Sequence, residues 1–210
     1  MVMLETVKKY FRTGWVEVAD TWTYASATTI TVPSGAASKY QKGDKIKLTQ
    51  TTVKYFYIVG VADTVLTVTG GSDYSLANAT ITSPYFSKIE NPQGFPGNFN
   101  YTATITPAES MTVTDSGSTM YFSIVGNRVL FSYSGSGTTG GTASTYIDVT
   151  LPVGSLSAAG YWSTCMIRDG TYQGGLLLVG TTTLRFYKEG LAAWTLGTSR
   201  QWRCGGSYVF

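Results

Sequence analysis

The chain has 210 residues, of which 13% are charged and 43% hydrophobic, with a net charge of +3 and no histidine. Without His there is no Ser-His-Asp or Cys-His centre, no His-ligated metal and no histidine general base. The halves on either side of residue 100 carry +2 and +1, so neither a basic arm nor an acidic tail argues for nucleic acid.

Residues 1–20 are the one place where a helix is expected, with Val2, Met3, Val7, Tyr10 and Phe11 at roughly helical spacing before Thr13-Gly14. From Thr21 onward the periodicity is that of strands. Thr28–Val32 alternates and stops at Pro33-Ser34-Gly35; Lys45–Thr49 alternates with Ile46 and Leu48 facing in. Thr52–Val61 is longer and more apolar, and Val65–Thr69 follows a turn expected at Ala62-Asp63 and closes on Gly70-Gly71. These strands predict a small barrel-like β-module over residues 21–83. Residues 84–100 carry Pro84, Pro92 and Pro96 with Gly94 and Gly97, a composition that predicts a stiff connector.

Beyond it, strands are expected at Met111–Asp115, Thr119–Val125, Arg128–Ser134, Tyr146–Leu151, Thr164–Arg168, Leu176–Val179, Thr183–Tyr187 and Gln201–Phe210. Gly126-Asn127 has hairpin-turn chemistry, and Ser134–Thr142 reads as a flexible Gly/Ser/Thr loop. About eight strands in this span predict an antiparallel β-sandwich of jelly-roll-like type over residues 101–210. The composition agrees: 33 Thr stand against 9 Lys and 5 Glu, and Thr fits a pleated surface better than a helix. The fold class expected is all-β, in two parts.

The longest apolar stretches, such as Tyr57–Ala62 and Leu176–Val179, fall far short of the ~18–20 residues that span a bilayer as a helix, so membrane insertion is not expected. Glu5, Lys8 and Lys9 stand where a secretory signal would place its apolar core. Cys165 and Cys204 make no disulfide framework and read as two small, mostly buried thiols, with their mutual placement left open by the sequence. Among carboxylates, Asp148 lies within a strand while Asp115 and Asp169 lie at strand ends, where they close turns; none forms a local catalytic motif, and no enzymatic activity is expected. No cofactor or metal is expected either, since Ser134–Thr142 lacks the Lys-Ser/Thr ending of a phosphate loop and no acidic loop has calcium spacing.

The aromatic residues of the second half carry the binding signal. Tyr161-Trp162, Asp169-Gly170-Thr171-Tyr172 and Trp194 with Thr195 combine a ring face with polar neighbours, the combination that stacks on a sugar and bonds its hydroxyls. Tyr161, Trp162, Asp169, Tyr172 and Trp194 are therefore the candidate ligand-binding residues, expected on loops at the sandwich ends. The competing expectation for each ring is ordinary packing.

Several motifs in order resemble the N-terminal module of bacteriophage and prophage virion proteins of the tail-fibre type. They are Thr21-Trp-Thr-Tyr-Ala-Ser, Tyr40-Gln-Lys-Gly-Asp-Lys-Ile-Lys-Leu-Thr-Gln-Thr, Lys54-Tyr-Phe-Tyr, Gly71-Ser-Asp-Tyr-Ser-Leu-Ala-Asn-Ala-Thr-Ile-Thr-Ser-Pro-Tyr and Asn91-Pro-Gln-Gly-Phe-Pro. More loosely, Ile124-Val-Gly-Asn-Arg-Val-Leu-Phe-Ser-Tyr, Ile147-Asp-Val-Thr-Leu-Pro and Gly205-Gly-Ser-Tyr-Val-Phe are similar to C-terminal β-sandwich heads of phage fibres. The resemblance implies a homotrimeric virion component, assembled in the host cytoplasm, joined to other virion proteins through its N-terminal region and presenting its head to a host surface glycan or protein. It identifies no catalytic residue. The chain has no long shaft, so a short spike, a tail-tip protein, or a capsid decoration or head fibre stands beside the fibre reading. A free carbohydrate-binding adhesin and a carboxylate-based glycan hydrolase are the alternatives from other classes.

Overall fold

The computed structural model describes residues 12–156 and 161–210, with the backbone but not the side chain of Tyr161. Most of the expected N-terminal helix lies outside the described residues. The chain is all-β, with two antiparallel sheets, one of them a curled half-barrel. It divides into two units. The first comprises the described residues through Phe99 together with Ile124–Asn127; the second comprises Asn100–Ser123 and Arg128–Phe210.

The first unit holds β1 (Val16–Glu17), β2 (Thr23–Ser26), β3 (Thr29–Thr31), the helical turn Ala36–Lys39, β4 (Lys45–Thr49), β5 (Val53–Ala62), β6 (Val65–Thr69) and β7 (Thr82–Ser87). Its sheet runs in the order β1-β7-β4-β5-β6-β3-β2. Ile46 and Leu48 face in and are fully buried with Ile30, Phe56, Ile58, Leu66 and Trp22. Each such side chain contributes roughly 1.5–3 kcal/mol of transfer free energy. The β5–β6 turn falls at Asp63-Thr64, one residue later than the spacing predicts.

The segment 84–100, expected to be a connector, does not behave as one, because its first residues are a strand and its middle packs. Pro84 lies in β7, opposite β4, where the register slips between Lys47↔Tyr85 and Thr49↔Thr82. A proline is tolerated there because the bulge removes the need for its missing N–H. Further on, Phe95 enters an aromatic cluster, with ring centroids 5.0 Å from Tyr57, 5.5 Å from Phe99 and 6.1 Å from Trp15. The Trp15 indole donates to the Gln93 carbonyl at 2.8 Å.

After β8 (Phe99–Tyr101), the second unit contains β9 (Ile105–Pro107), β10 (Met111–Asp115), β11 (Thr119–Val125), β12 (Arg128–Gly141), β13 (Tyr146–Thr150), β14 (Tyr161–Asp169), β15 (Thr171–Val179), β16 (Thr183–Lys188) and β17 (Gly197–Val209). The path is β11-β12-β17-β14-β15-β16-β13-β9, with β10 also on β12. Strands β9 and β10 are one bent run broken at Ala108–Ser110. Its start pairs with β13 and its end with β12, which links the β13 side of the path back to β12.

The stretch Ser134–Thr142 is not a flexible loop, for Arg128–Gly141 is one 14-residue strand. Its glycines are packing requirements. A Cβ on Gly135 would lie 2.3 Å from Trp202 Nε1, and one on Gly137 would lie 2.6 Å from the Thr114 carbonyl oxygen.

Candidate binding face

Strand alternation sorts the side chains of β13 to β16 into two sets. Ile147, Val149, Leu184, Phe186, Leu177, Val179 and Ile167 point inward and are buried. The opposite parity forms a lattice fixed by register. Trp162 stands opposite Leu178, Leu178 opposite Arg185, and Arg185 opposite Asp148. In the next row Thr164, Leu176, Tyr187 and Tyr146 follow one another across the same four strands.

Three rings link these rows, Trp162 diagonally to Tyr187 and Tyr187 directly to its cross-strand partner Tyr146. Trp162 and Tyr187 have centroids 5.6 Å apart, and Tyr187 and Tyr146 are likewise 5.6 Å apart. The Arg185 guanidinium lies 3.8 Å from the Tyr146 ring centroid and donates twice to Asp148, from Nε at 2.7 Å and from its terminal nitrogen at 2.8 Å. Hydrogen bonding to Asp148 pushes the Arg185 pKa upward, so this cation is permanent. The same bonds spend the Asp148 carboxylate on holding Arg185 over Tyr146. Trp162 is 57% exposed, and Leu176 and Met166, further along the same side of the sheet, are also exposed. The face therefore offers a bare indole, two partly covered phenols and an aliphatic border, suited to stacking and apolar contact.

Of the residues expected to bind, Trp162 belongs to this face, though on a strand and not on a loop. The Tyr161 side chain lies outside the described residues. Tyr172, 59% exposed, is the second residue of β15, just past the tight turn at Gly170, under the Arg168 guanidinium at 5.5 Å and bonded through its hydroxyl to Gln201 at 3.2 Å.

Asp169 and Trp194 do other work. The Asp169 side chain is 1% exposed, paired with Lys188 at 2.5 Å and Arg200 at 2.9 Å. It also accepts from the Thr195 hydroxyl at 2.6 Å and the Thr195 N–H at 3.1 Å. Burial pushes its pKa up, but the Lys188 ammonium and the Thr195 donors outweigh that and hold it below the usual carboxylate range. By anchoring Thr195, Asp169 fixes the loop that carries Trp194. Contrary to the expectation of an exposed ring, Trp194 is fully buried. Its backbone N–H donates to the Ser144 carbonyl at 2.8 Å, and its ring meets Trp202 edge-on at 6.0 Å. It is a packing residue, because an indole in a loop this tightly tied has the core as its nearest apolar surroundings.

Sequence reasoning missed Tyr146, Arg185 and Tyr187. The signal was present: Tyr146–Thr150 and Thr183–Lys188 both alternate, and these three residues share the polar parity. Comparison of the chain with protein-family models, with curated proteins and with solved structures found no match.

Proposed function

We propose that the protein is a bacteriophage virion component of tail-fibre type whose second unit contacts a bacterial surface glycan through the face built on Trp162, Tyr187 and Tyr146. Support comes from the ordered motifs between residues 20 and 100 that resemble such proteins and from the all-β construction. The observation that carries the binding role is the chain of three rings with Arg185 fixed at its end. A sugar stacked on one exposed ring contributes on the order of 1 kcal/mol, which is weak alone. Several copies on one particle convert weak sites into firm attachment without new contacts. The chemistry needed is recognition alone, and Asp148 and Asp169 are both engaged by cations.

The test is adsorption of the purified protein to host cells and to extracted surface polysaccharide. Wild type is expected to bind both, and Trp162→Ala to bind neither with comparable strength. Equal binding by the variant removes the face from the reading, and release of new reducing ends would make the protein a hydrolase instead.

The aliphatic border favours a second use of the same surface. Met166 and Leu176 are exposed on a sheet face, and exposed apolar patches of this kind meet other subunits. In the homotrimer that the resemblance implies, this border would lie against the neighbouring copy while the indole stays open.

A further inference from the structure

Cys165 and Cys204 lie on β14 and β17, which are neighbours in the sheet. Their antiparallel register pairs Arg168 with Gln201, Ile167 with Trp202 and Met166 with Arg203. The next position along that register sets Cys165 opposite Cys204. Directly opposed residues in an antiparallel pair have Cα atoms about 4.5–5.5 Å apart and side chains on one face. A disulfide needs a Cα separation of about 4.4–6.8 Å. The face is the inner one, shared with the fully buried pair Ile167 and Trp202. Cys165 is 9% exposed and Cys204 is half-buried, and both are free thiols. The ladder between β14 and β17 ends at Met166/Arg203, whereas β17 stays paired with β12 through Val209. The two thiols thus stand where main-chain bonding between β14 and β17 stops.

We infer that Cys165 and Cys204 form a cross-strand dithiol that the folded protein closes into a disulfide on meeting a low-molecular-weight disulfide, tying β14 to β17 at the end of their ladder. The Cys204 thiolate attacks one sulfur of the oxidant, giving a mixed disulfide and one free small thiolate. The Cys165 thiolate then attacks the Cys204 sulfur, forming the protein S–S bond and expelling the second small thiolate. The protein loses two electrons and two protons; the oxidant takes the electrons and ends as two thiols, and solvent exchanges the protons. Burial pushes the Cys165 thiol up to about 12 and raises the Cys204 thiol as well, to which the nearby Cys165 charge adds. Closure is therefore slow at neutral pH and accelerates about tenfold per pH unit as the thiolate fraction grows. This inference does not depend on the glycan-binding reading.

The native, reduced protein is incubated with excess oxidised glutathione at pH 9 and followed by intact mass and peptide mapping. The expected product is two hydrogens lighter than the starting chain, retains no glutathione, has lost both alkylatable thiols and yields one linked peptide pair. Its melting temperature is expected to rise and to fall back on adding reductant. Cys165→Ser is expected to stop at one glutathione on Cys204; if that variant fails to fold, the wild-type peptide map decides alone. Two thiols persisting at equilibrium, glutathione on both cysteines, a bond between two chains, or closure only in denaturant would each overturn the inference.

Discussion

Gly135 on β12 lies directly against the indole of Trp202 on β17, so close that a Cβ at position 135 would come within 2.3 Å of Nε1 and 2.7 Å of the Tyr133 hydroxyl. The same indole N–H donates to that hydroxyl at 3.1 Å. Gly135→Ala must therefore displace a buried ring and its hydrogen bond together, and is expected to cost about 2–4 kcal/mol in chemical denaturation. Gly174→Ala is the control, since a Cβ there meets nothing within 4 Å; it is expected to change stability by no more than about 0.5 kcal/mol.

Trp162 and Trp194 should separate cleanly when each is truncated. Trp194→Ala removes a fully buried ring and is expected to lose about 3–5 kcal/mol of stability. Trp162→Ala removes an exposed one and is expected to shift the melting temperature little while weakening adsorption to cells. Thermal melts and a cell-binding assay on both proteins check the pair.

Asp169 makes the second unit sensitive to acid. Its pKa is lowered in the folded protein, so its contribution is complete above the ordinary carboxylate pKa of about 4. That contribution is lost as pH falls through the lower, folded value. Asp169→Asn leaves Lys188 and Arg200 without their shared anion and is expected to cost about 2–4 kcal/mol near neutral pH. The difference from wild type should shrink as denaturation curves are taken from pH 6 down to pH 3; a constant difference would show that the carboxylate is not acting through its charge.

The subunit count is a direct measurement. Light scattering coupled to size exclusion is expected to report a trimer at micromolar concentration. Met166→Glu, which places a charge on the exposed border, is expected to shift the population toward monomer without unfolding it. A monomeric wild type would remove the trimer from the proposal.

Much of this fold was legible because period-two alternation survives in the sequence wherever one face is buried. Ile46 and Leu48 were placed correctly on that ground alone, and Gly126-Asn127 does join β11 to β12. What misled was reading glycine and proline as punctuation. Gly135 and Gly137 are small because large rings and a neighbouring carbonyl occupy the space, and Pro84 sits at a bulge. Composition registers neither circumstance, since both depend on residues distant in the chain. The site was half legible for a related reason. Trp162 could be singled out as an aromatic, but its partners Tyr187 and Tyr146 come to it only through three successive pairings across four strands.

Strand β17 is the last strand of its sheet in chain order, yet it occupies an interior position between β12 and β14. During synthesis, β12 and β14 have no common neighbour until the chain has been made through Val209. The second unit must therefore wait with apolar strand edges open, and its closing pairings join residues as far as about eighty positions apart, such as Val129 with Tyr208. Long-range pairings of this kind fold slowly, and the waiting species is the one at risk of aggregation. Poor recovery of soluble protein on rapid overexpression, relieved by slower synthesis at lower temperature, is the practical result to anticipate.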